Sequence, residues 1–363
     1  MTTVSITMGF FPAHIKMLQE AGHTVELACN LDEPTPEKVK ALGCSEHHIP
    51  FSRSPFSKGN LTAYRELKKL LTEKHYDIVH THTPNASALV RLACRKLRKS
   101  GLRVFYTAHG FHFYNGAPIK NWLIYYPVER LLSCWTDMLL TINSEDHQRA
   151  IKSFYAKNTV FVPGVGMDTA QFLPVGYASG RRSRELGLSD ADKLLLSVGE
   201  LNTNKNHAIV IRALAADRDR SVHYAICGEG SKRTELEQLA DKLGIAERVH
   251  ILGARRDVAQ WMADADIYLF PSYREGLSVS LMEAMASGLP VVCSDIRGNR
   301  DLVQNEKGGL LCPPGDSKAW ASAIRRLLEA REQRAEMGRY NQRAVQAFSK
   351  EKVLEELRTI YQI

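Results

Sequence analysis

The chain has 363 residues, 44% hydrophobic, 24% charged and 8% aromatic, which excludes a disordered tail or collagen-like fibre and exceeds one ordinary domain. Lys and Arg number 48 against 40 Asp and Glu, and the +8 surplus is local: residues 51–100 hold 11 basic and 3 acidic side chains, suggesting an anionic neighbour such as phosphate, nucleic acid or membrane. Seven scattered cysteines without a C-x-x-C pair argue against a disulfide framework and fit a reducing cytosol, and no leader or long apolar run implies export or a bilayer span.

Short apolar runs alternate with helical patterns, as in β-α units around parallel sheets. In the first half the pattern predicts strands at Val4–Thr7, Thr24–Ala28, Asp77–Thr81, Arg103–Thr107, Met138–Ile142 and Thr159–Val162. Helices are expected near 13–21, 60–74, 85–100, 119–134 and 144–154. Residues 163–184, with glycines, two prolines and no periodic apolar face, read as a linker. The alternation then restarts, with strands at Leu194–Val198, Val222–Cys227, Val249–Leu252, Ile267–Pro271 and Pro290–Cys293. The matching helices fall near 205–216, 230–243, 256–263, 279–287, 317–329 and 331–347. A last helix at 351–363 fits either closing the second domain or crossing back onto the first. The expected fold is α/β, with two Rossmann-like, doubly wound parallel-sheet domains at 1–164 and 165–350. Ligands bind such folds at the carboxyl ends of the strands, here in a cleft between the two domains.

The most informative stretch is LFPSYREGLSVSLMEAMASGLPVV, residues 269–292. A strand gives way to a polar loop holding Glu275 and Gly276, and a helix starts near Ser278. The free N–H groups of that helix start form an anion site, and Glu275 and Glu283 can accept bonds from sugar hydroxyls beside it. A solvated loop carboxylate plus a first-turn glutamate favoured by the helix dipole is the plainer account of the same residues.

This E-x7-E segment resembles the signature of the family 4 retaining glycosyltransferases, two-domain enzymes of GT-B type. SVGELNTNKNH (197–207), CGEGSKRTELE (227–237), ILGARRDV (251–258) and GGLLCPPGD (308–316) stand around it in the family's order. YDIVHTHTP (76–84), YTAHGFHFYNGAP (106–118) and VPGVGMD (162–168) look like the subgroup that builds bacterial capsular, exopolysaccharide or lipid-linked glycans.

The resemblance implies a role for each matching residue. Glu283 would bind the ribose hydroxyls of a nucleotide and Glu275 the donor sugar. Gly276, Leu277 and Ser278 would offer backbone N–H groups to the diphosphate, Lys205 would supply its cation, and Gly199 would line the same site. The turn through Gly253, Ala254 and Arg255 would hold the base, and His109 would meet the donor sugar. Gly9, His82, Phe111 and His112 are expected on the acceptor side. A core histidine and a solvated lysine are the plainer accounts of His109 and Lys205.

Two departures stand out: Glu200 follows Gly199 where the family usually has Arg, and Met8-Gly9-Phe10 replaces a glycine pair. Arg255, Arg256, Arg274 or Arg300 are candidate replacements for the missing cation. D-x-D pairs at Asp190–Asp192, Asp217–Asp219 and Asp264–Asp266, and His80-x-His82 with His109-x-x-His112, are read as capping or strand-end residues, so no metal or other cofactor is expected.

The implied reaction is retaining, metal-independent transfer of a hexose or N-acetylhexosamine from a nucleotide diphosphate donor, most often a uridine diphosphate sugar in this family. The implied acceptor is an undecaprenyl-diphosphate-linked sugar. A nucleotide-sugar epimerase of GT-B shape, an α-glucan synthase or phosphorylase, and a nucleic-acid binder are the alternatives; no nucleic-acid module is recognisable. Lys58, Arg65, Lys68, Lys69, Lys74, Arg91, Arg95, Lys96, Arg98 and Lys99 bracket the strand at 76–84. They suggest a cytoplasmic enzyme held peripherally on the anionic inner leaflet.

Overall fold

A computed structural model describes residue 2 and residues 4–172 and 180–363, the side chains of 181–183 apart. Residues 173–179 of the expected linker lie outside the described residues. The chain forms two compact units, Met1–Gly166 with Lys350–Ile363, and Met167–Ser349.

In the first unit β1 (Glu26–Cys29) pairs in parallel with β2 (Ser45–His48). A four-stranded parallel sheet runs in the order β3 (Ile78–Thr81), β4 (Arg103–Ala108), β5 (Met138–Thr141), β6 (Asn158–Phe161). The helices are α1 (Pro12–Glu20), α2 (Glu37–Lys40), α3 (Gly59–Lys74), α4 (Pro84–Cys94), α5 (Ile119–Ser133) and α6 (Ser144–Ser153).

The strand expected at Val4–Thr7 does not form. Val4 makes a single bridge to Asn30, and Ser5–Phe10 coils into a 3₁₀ helix. The Ser5 hydroxyl donates to the Glu33 carbonyl, and the turn buries Met8 and Phe11 with Ile15, Leu27, Cys29 and Val39 before Pro12 opens α1. β2 escaped the sequence pattern because Ser-Glu-His-His carries no apolar residue. It is a polar edge on which Glu26 of β1 accepts from His47, 2.7 Å, and from Tyr76, 2.5 Å.

The second unit holds six parallel strands: β7 (Lys193–Val198), β8 (Val222–Cys227), β9 (Val249–Gly253), β10 (Ile267–Phe270), β11 (Val291–Ser294) and β12 (Gly309–Cys312). Their spatial order is β12-β11-β10-β7-β8-β9. Both sheet faces are covered, which is why β7, β8, β10 and β11 are nearly continuous apolar runs. The helices are α7 (Arg181–Leu186), α8 (His207–Ala215), α9 (Arg233–Lys242), α10 (Val258–Asp264), α11 (Val279–Ala286), α12 (Asn299–Leu302), α13 (Ser317–Glu329) and α14 (Arg331–Ala344). The chain then leaves this unit, and α15 (Lys350–Tyr361) packs Val353, Leu357, Ile360 and Tyr361 against Met17, Phe105, Leu140 and Val162 of the first.

Strand order reverses between β7 and β10. Successive connections leave β7 toward β8 and β9 on one side, and toward β10, β11 and β12 on the other. The loops following β7 and β10 therefore diverge and leave a crevice at their carboxyl ends, where ligands bind such sheets.

Candidate functional site

Lys205 follows β7 and Glu275 follows β10, so the strand order brings together two residues 70 positions apart. Lys205 Nζ donates to Glu275 Oε1 at 2.8 Å and sits 4.9 Å from the centroid of the Phe270 ring. Both loops are tied in place. Asn204 Nδ2 donates to the Arg274 carbonyl at 3.0 Å, and the Tyr273 N–H to the Asn204 carbonyl at 2.8 Å. Asn206 Nδ2 donates to the carbonyls of Pro271 and Pro314. The Lys205 stem crosses Gly199, where a Cβ would meet Cδ and Cε at 3.3 Å, so the glycine lets the lysine lie flat on the strand end.

Beyond Glu275, the N–H groups of Gly276, Leu277 and Ser278 donate to no group among the described residues. Ser278 caps α11 by accepting from the Leu281 N–H, which presents those donors at the positive end of the helix. Free N–H groups at a helix start, following directly on the residue that Lys205 bonds, have the chemistry to hold an anion. Within α11, the Glu283 carboxylate has no hydrogen-bond or ion-pair partner among the described residues, and burial pushes it up to about 7. A partly buried carboxylate without donors is suited to accept hydrogen bonds from hydroxyls of a ligand.

Two of the four proposed replacement cations are already committed. Arg255 pairs with Asp257 at 2.8 Å and Glu185 at 3.0 Å, and its guanidinium is held further above its ordinary value by them. Arg300 pairs with Asp295 at 2.5 Å. Neither can take over from the absent arginine at Glu200 without breaking an ion pair, whereas Arg256 and Arg274 are exposed. Gly253 ends β9 and Ala254 follows it, the Ala254 N–H donating to Glu229 Oε1 at 3.4 Å.

Arg297 and Gly298 escaped sequence reasoning. Arg297 is 6% exposed and its Nε donates to the Glu275 carbonyl at 3.3 Å. Gly298 has φ +77, and a Cβ there would lie 2.3 Å from the Gly276 carbonyl oxygen. Together they buttress the anion loop from behind. An arginine followed by a glycine just past β11 is the one signal in the sequence for this support.

In the first unit, His109 ends the turn after β4. Its Nε2 lies 3.3 Å from Nδ1 of His82, and His82 stacks on His80 and on Phe11. His80 bonds Tyr361 of α15 through Nδ1 and Thr107 through Nε2. Burial drives His109 and His14 down to about 4, and His80 and His82 well below the usual imidazole range, so all four are neutral at pH 7. The turn is fixed by Asp146, which accepts from the Phe111 N–H at 2.9 Å.

Three expectations for this unit need correction. The Phe111 ring is 3% exposed and stacked on Phe113, a core residue rather than an acceptor contact, because the turn directs it inward beneath α6. Arg91 is buried and bonded to Glu129 at 2.8 Å, and Arg98 to Asp137 at 2.5 Å, so neither belongs to a solvent-facing basic patch. Gly9 lies in the 3₁₀ segment against Pro36, while His112 stays half-exposed on Tyr125. The D-x-D carboxylates serve local backbone: Asp192 accepts from Ser189, Asp219 from Ser221 and Asp266 from Leu194. No helix among the described residues is long and apolar enough to cross a membrane.

Comparison with known proteins covers both units. Residues 13–170 match the family model Glycosyltransferase Family 4, and residues 180–344 match Glycosyl transferases group 1. A Bacillus subtilis (strain 168) protein named as a glycosyltransferase, EpsD, is 38% identical over 357 residues, 97% of this chain and 92% of that protein. An Escherichia coli protein named UDP-Gal:alpha-D-GlcNAc-diphosphoundecaprenol alpha-1,3-galactosyltransferase is 29% identical over 270 residues, 72% of this chain and 69% of that one. Among solved structures, Anabaena Alr3699/HepE in complex with UDP superposes with a TM-score of 0.83 at 21% identity, covering 100% of this chain and 98% of that one.

Proposed function

The chain belongs to glycosyltransferase family 4, and from that premise we propose that it moves a sugar from a uridine diphosphate donor to a lipid-linked sugar acceptor in the assembly of a bacterial surface glycan. The observation that carries the reading is the meeting of Lys205, Glu275 and three unbonded N–H groups at the point where strand order reverses. The E. coli relative, whose name joins a UDP-sugar to a diphosphoundecaprenol-linked acceptor, supports the choice of substrates.

The chemistry follows from the charges. Breaking the anomeric bond loads negative charge on the leaving diphosphate, and the Lys205 ammonium with the N–H groups of Gly276, Leu277 and Ser278 stabilises that charge as it grows, without a metal. Glu283 accepts from the ribose hydroxyls, and Glu275 from hydroxyls of the donor sugar. His109, neutral at pH 7, hydrogen-bonds the sugar rather than acting as a cation. With Glu275 on the hydroxyls, no carboxylate is assigned beneath the anomeric carbon. Retention then proceeds on the front face, the leaving phosphate taking the acceptor proton. The exposed cations of residues 51–100, including Lys58, Arg65, Lys68, Lys69 and Lys74, favour peripheral binding at an anionic membrane surface, on the cytoplasmic side.

Turnover with a UDP-sugar panel in EDTA, with the product's anomeric configuration read by NMR, tests this. Lys205→Ala and Glu275→Ala should each lose roughly 10²–10³-fold in kcat/KM while keeping the wild-type Tm. Full activity in either variant, dependence on a divalent cation, or an inverted product defeats the corresponding assignment.

A further inference from the structure

Helix α5 is built inside out for a protein surrounded by water. Ile119, Leu123, Ile124, Val128 and Leu131 are between 46% and 77% exposed, and at about 3.6 residues per turn all five fall on the outward half of the helix, a broad apolar stripe. The one carboxylate of the helix faces inward instead. Glu129 is 8% exposed and receives Arg91 Nη2 at 2.8 Å, while the Arg91 guanidinium lies 4.5 Å from the centroid of the Tyr106 ring. Trp122 and Tyr126 also turn inward, onto Phe113. The helix therefore docks through aromatic rings, Leu132 and a buried ion pair, which is costly to desolvate, and leaves its other aliphatic side chains outside.

The surrounding charge says what covers the stripe. From residue 78 to 136 the chain carries eight Lys and Arg and a single acid, Glu129, which Arg91 neutralises. Exposed Lys120 stands at the start of the stripe. Exposed Arg95, Lys96 and Lys99 stand near its far end, where Arg95 lies over the Trp135 ring and Arg98 donates to the Cys134 carbonyl at 3.0 Å. A second copy would bring this cationic surface against itself. A bilayer with anionic headgroups matches both its apolar stripe and its charge.

We propose that α5 and the adjoining turn at residues 95–99 form a membrane-docking surface, the stripe entering the interfacial layer of the bilayer while the lysines and arginines meet anionic headgroups. The inference deepens the lipid-linked acceptor reading and rests on it for its purpose, since a docked enzyme meets a membrane-held acceptor in two dimensions rather than three.

The test is flotation of the full chain with vesicles of phosphatidylglycerol and phosphatidylcholine, and with phosphatidylcholine alone. The wild type should bind the anionic vesicles at least tenfold more tightly than the neutral ones. The double variant Leu123→Gln/Leu131→Gln should lose at least tenfold in that binding, and Lys96→Gln/Lys99→Gln should lose most of the preference for anionic lipid. Both should keep wild-type turnover on a water-soluble, short-chain acceptor, which confirms their fold. Wild-type protein that binds neither vesicle, or a leucine variant that binds as well as wild type, overturns the proposal. So does a wild-type dimer in solution that the leucine substitutions dissolve. Docking without transfer to any lipid-linked acceptor would instead sink the acceptor reading and leave the docking surface standing.

Discussion

At the scale of single residues, Glu283 is the most informative. Its carboxyl is raised to about 7 by burial and has no compensating donor among the described residues. Two consequences follow, of opposite pH sense. A ribose hydroxyl donates best to the ionised form, so donor affinity should fall about tenfold from pH 8 to pH 6 by calorimetry, and that slope should vanish in Glu283→Gln. Stability runs the other way: a carboxyl raised above its unfolded value near 4.5 binds protons better in the fold, so its contribution is lost as pH rises through 7. Glu283→Gln should therefore be more stable than wild type by about 1–2 kcal/mol at pH 8, and no more stable at pH 4, in thermal melts. The E-x7-E spacing made Glu283 and Glu275 legible in the sequence. The bond from Lys205 to Glu275 was not, because nothing local shows that the first strand of one half-sheet, β10, lies beside the first of the other, β7. The same blindness hid the partner of Arg91, 38 residues away, and let it pass for a surface charge.

Among the elements, long amphipathic helices and buried strands were readable because their periodicity is enforced by burial on both faces of a parallel sheet. The failures have local causes. Residues 4–7 alternate like a strand, yet burying Met8 and Phe11 curls them into a 3₁₀ turn. β12 was absent from the expected strands because its run is short and opens on Gly309, which lies flat against the Val291 carbonyl, where a Cβ would come within 2.1 Å. The loop between β11 and α12 has the same character. Gly298→Ala would drive a methyl into the Gly276 carbonyl at a positive φ, so it should weaken nucleotide binding at least tenfold and lower stability by about 1–3 kcal/mol. An unchanged Kd would show that the loop holding Gly276 needs no such support. The histidine cluster on β3 and β4 makes a second prediction. Imidazoles lowered by burial bind protons better when unfolded, so their contribution is present above pH 6.5 and lost below it. Each adds up to about 1.4 kcal/mol per pH unit. The Tm should drop steeply between pH 6.5 and 5, and a flat profile there would contradict their burial as neutral groups.

For the whole molecule, the division into two units sorts the chemistry. The anion site, Glu283 and the loops that support them belong to Met167–Ser349, and the histidine cluster, the cationic segment and the exposed stripe of α5 belong to the unit that Lys350–Ile363 completes. Sequence reasoning placed the positive surplus in the first unit but counted cations that are spent internally on Glu129 and Asp137. What remains exposed there lies beside an apolar face that composition could not display, since only the fold decides which side of α5 turns outward. The central claim, that the loops after β7 and β10 form a metal-free donor site, is tested most directly by calorimetric titration of uridine diphosphate into the full chain and into Lys205→Ala, both in EDTA. The account predicts binding by the wild type and a loss of at least tenfold in the variant at unchanged Tm. Equal affinity in the two proteins, or no binding without a divalent cation, would contradict it.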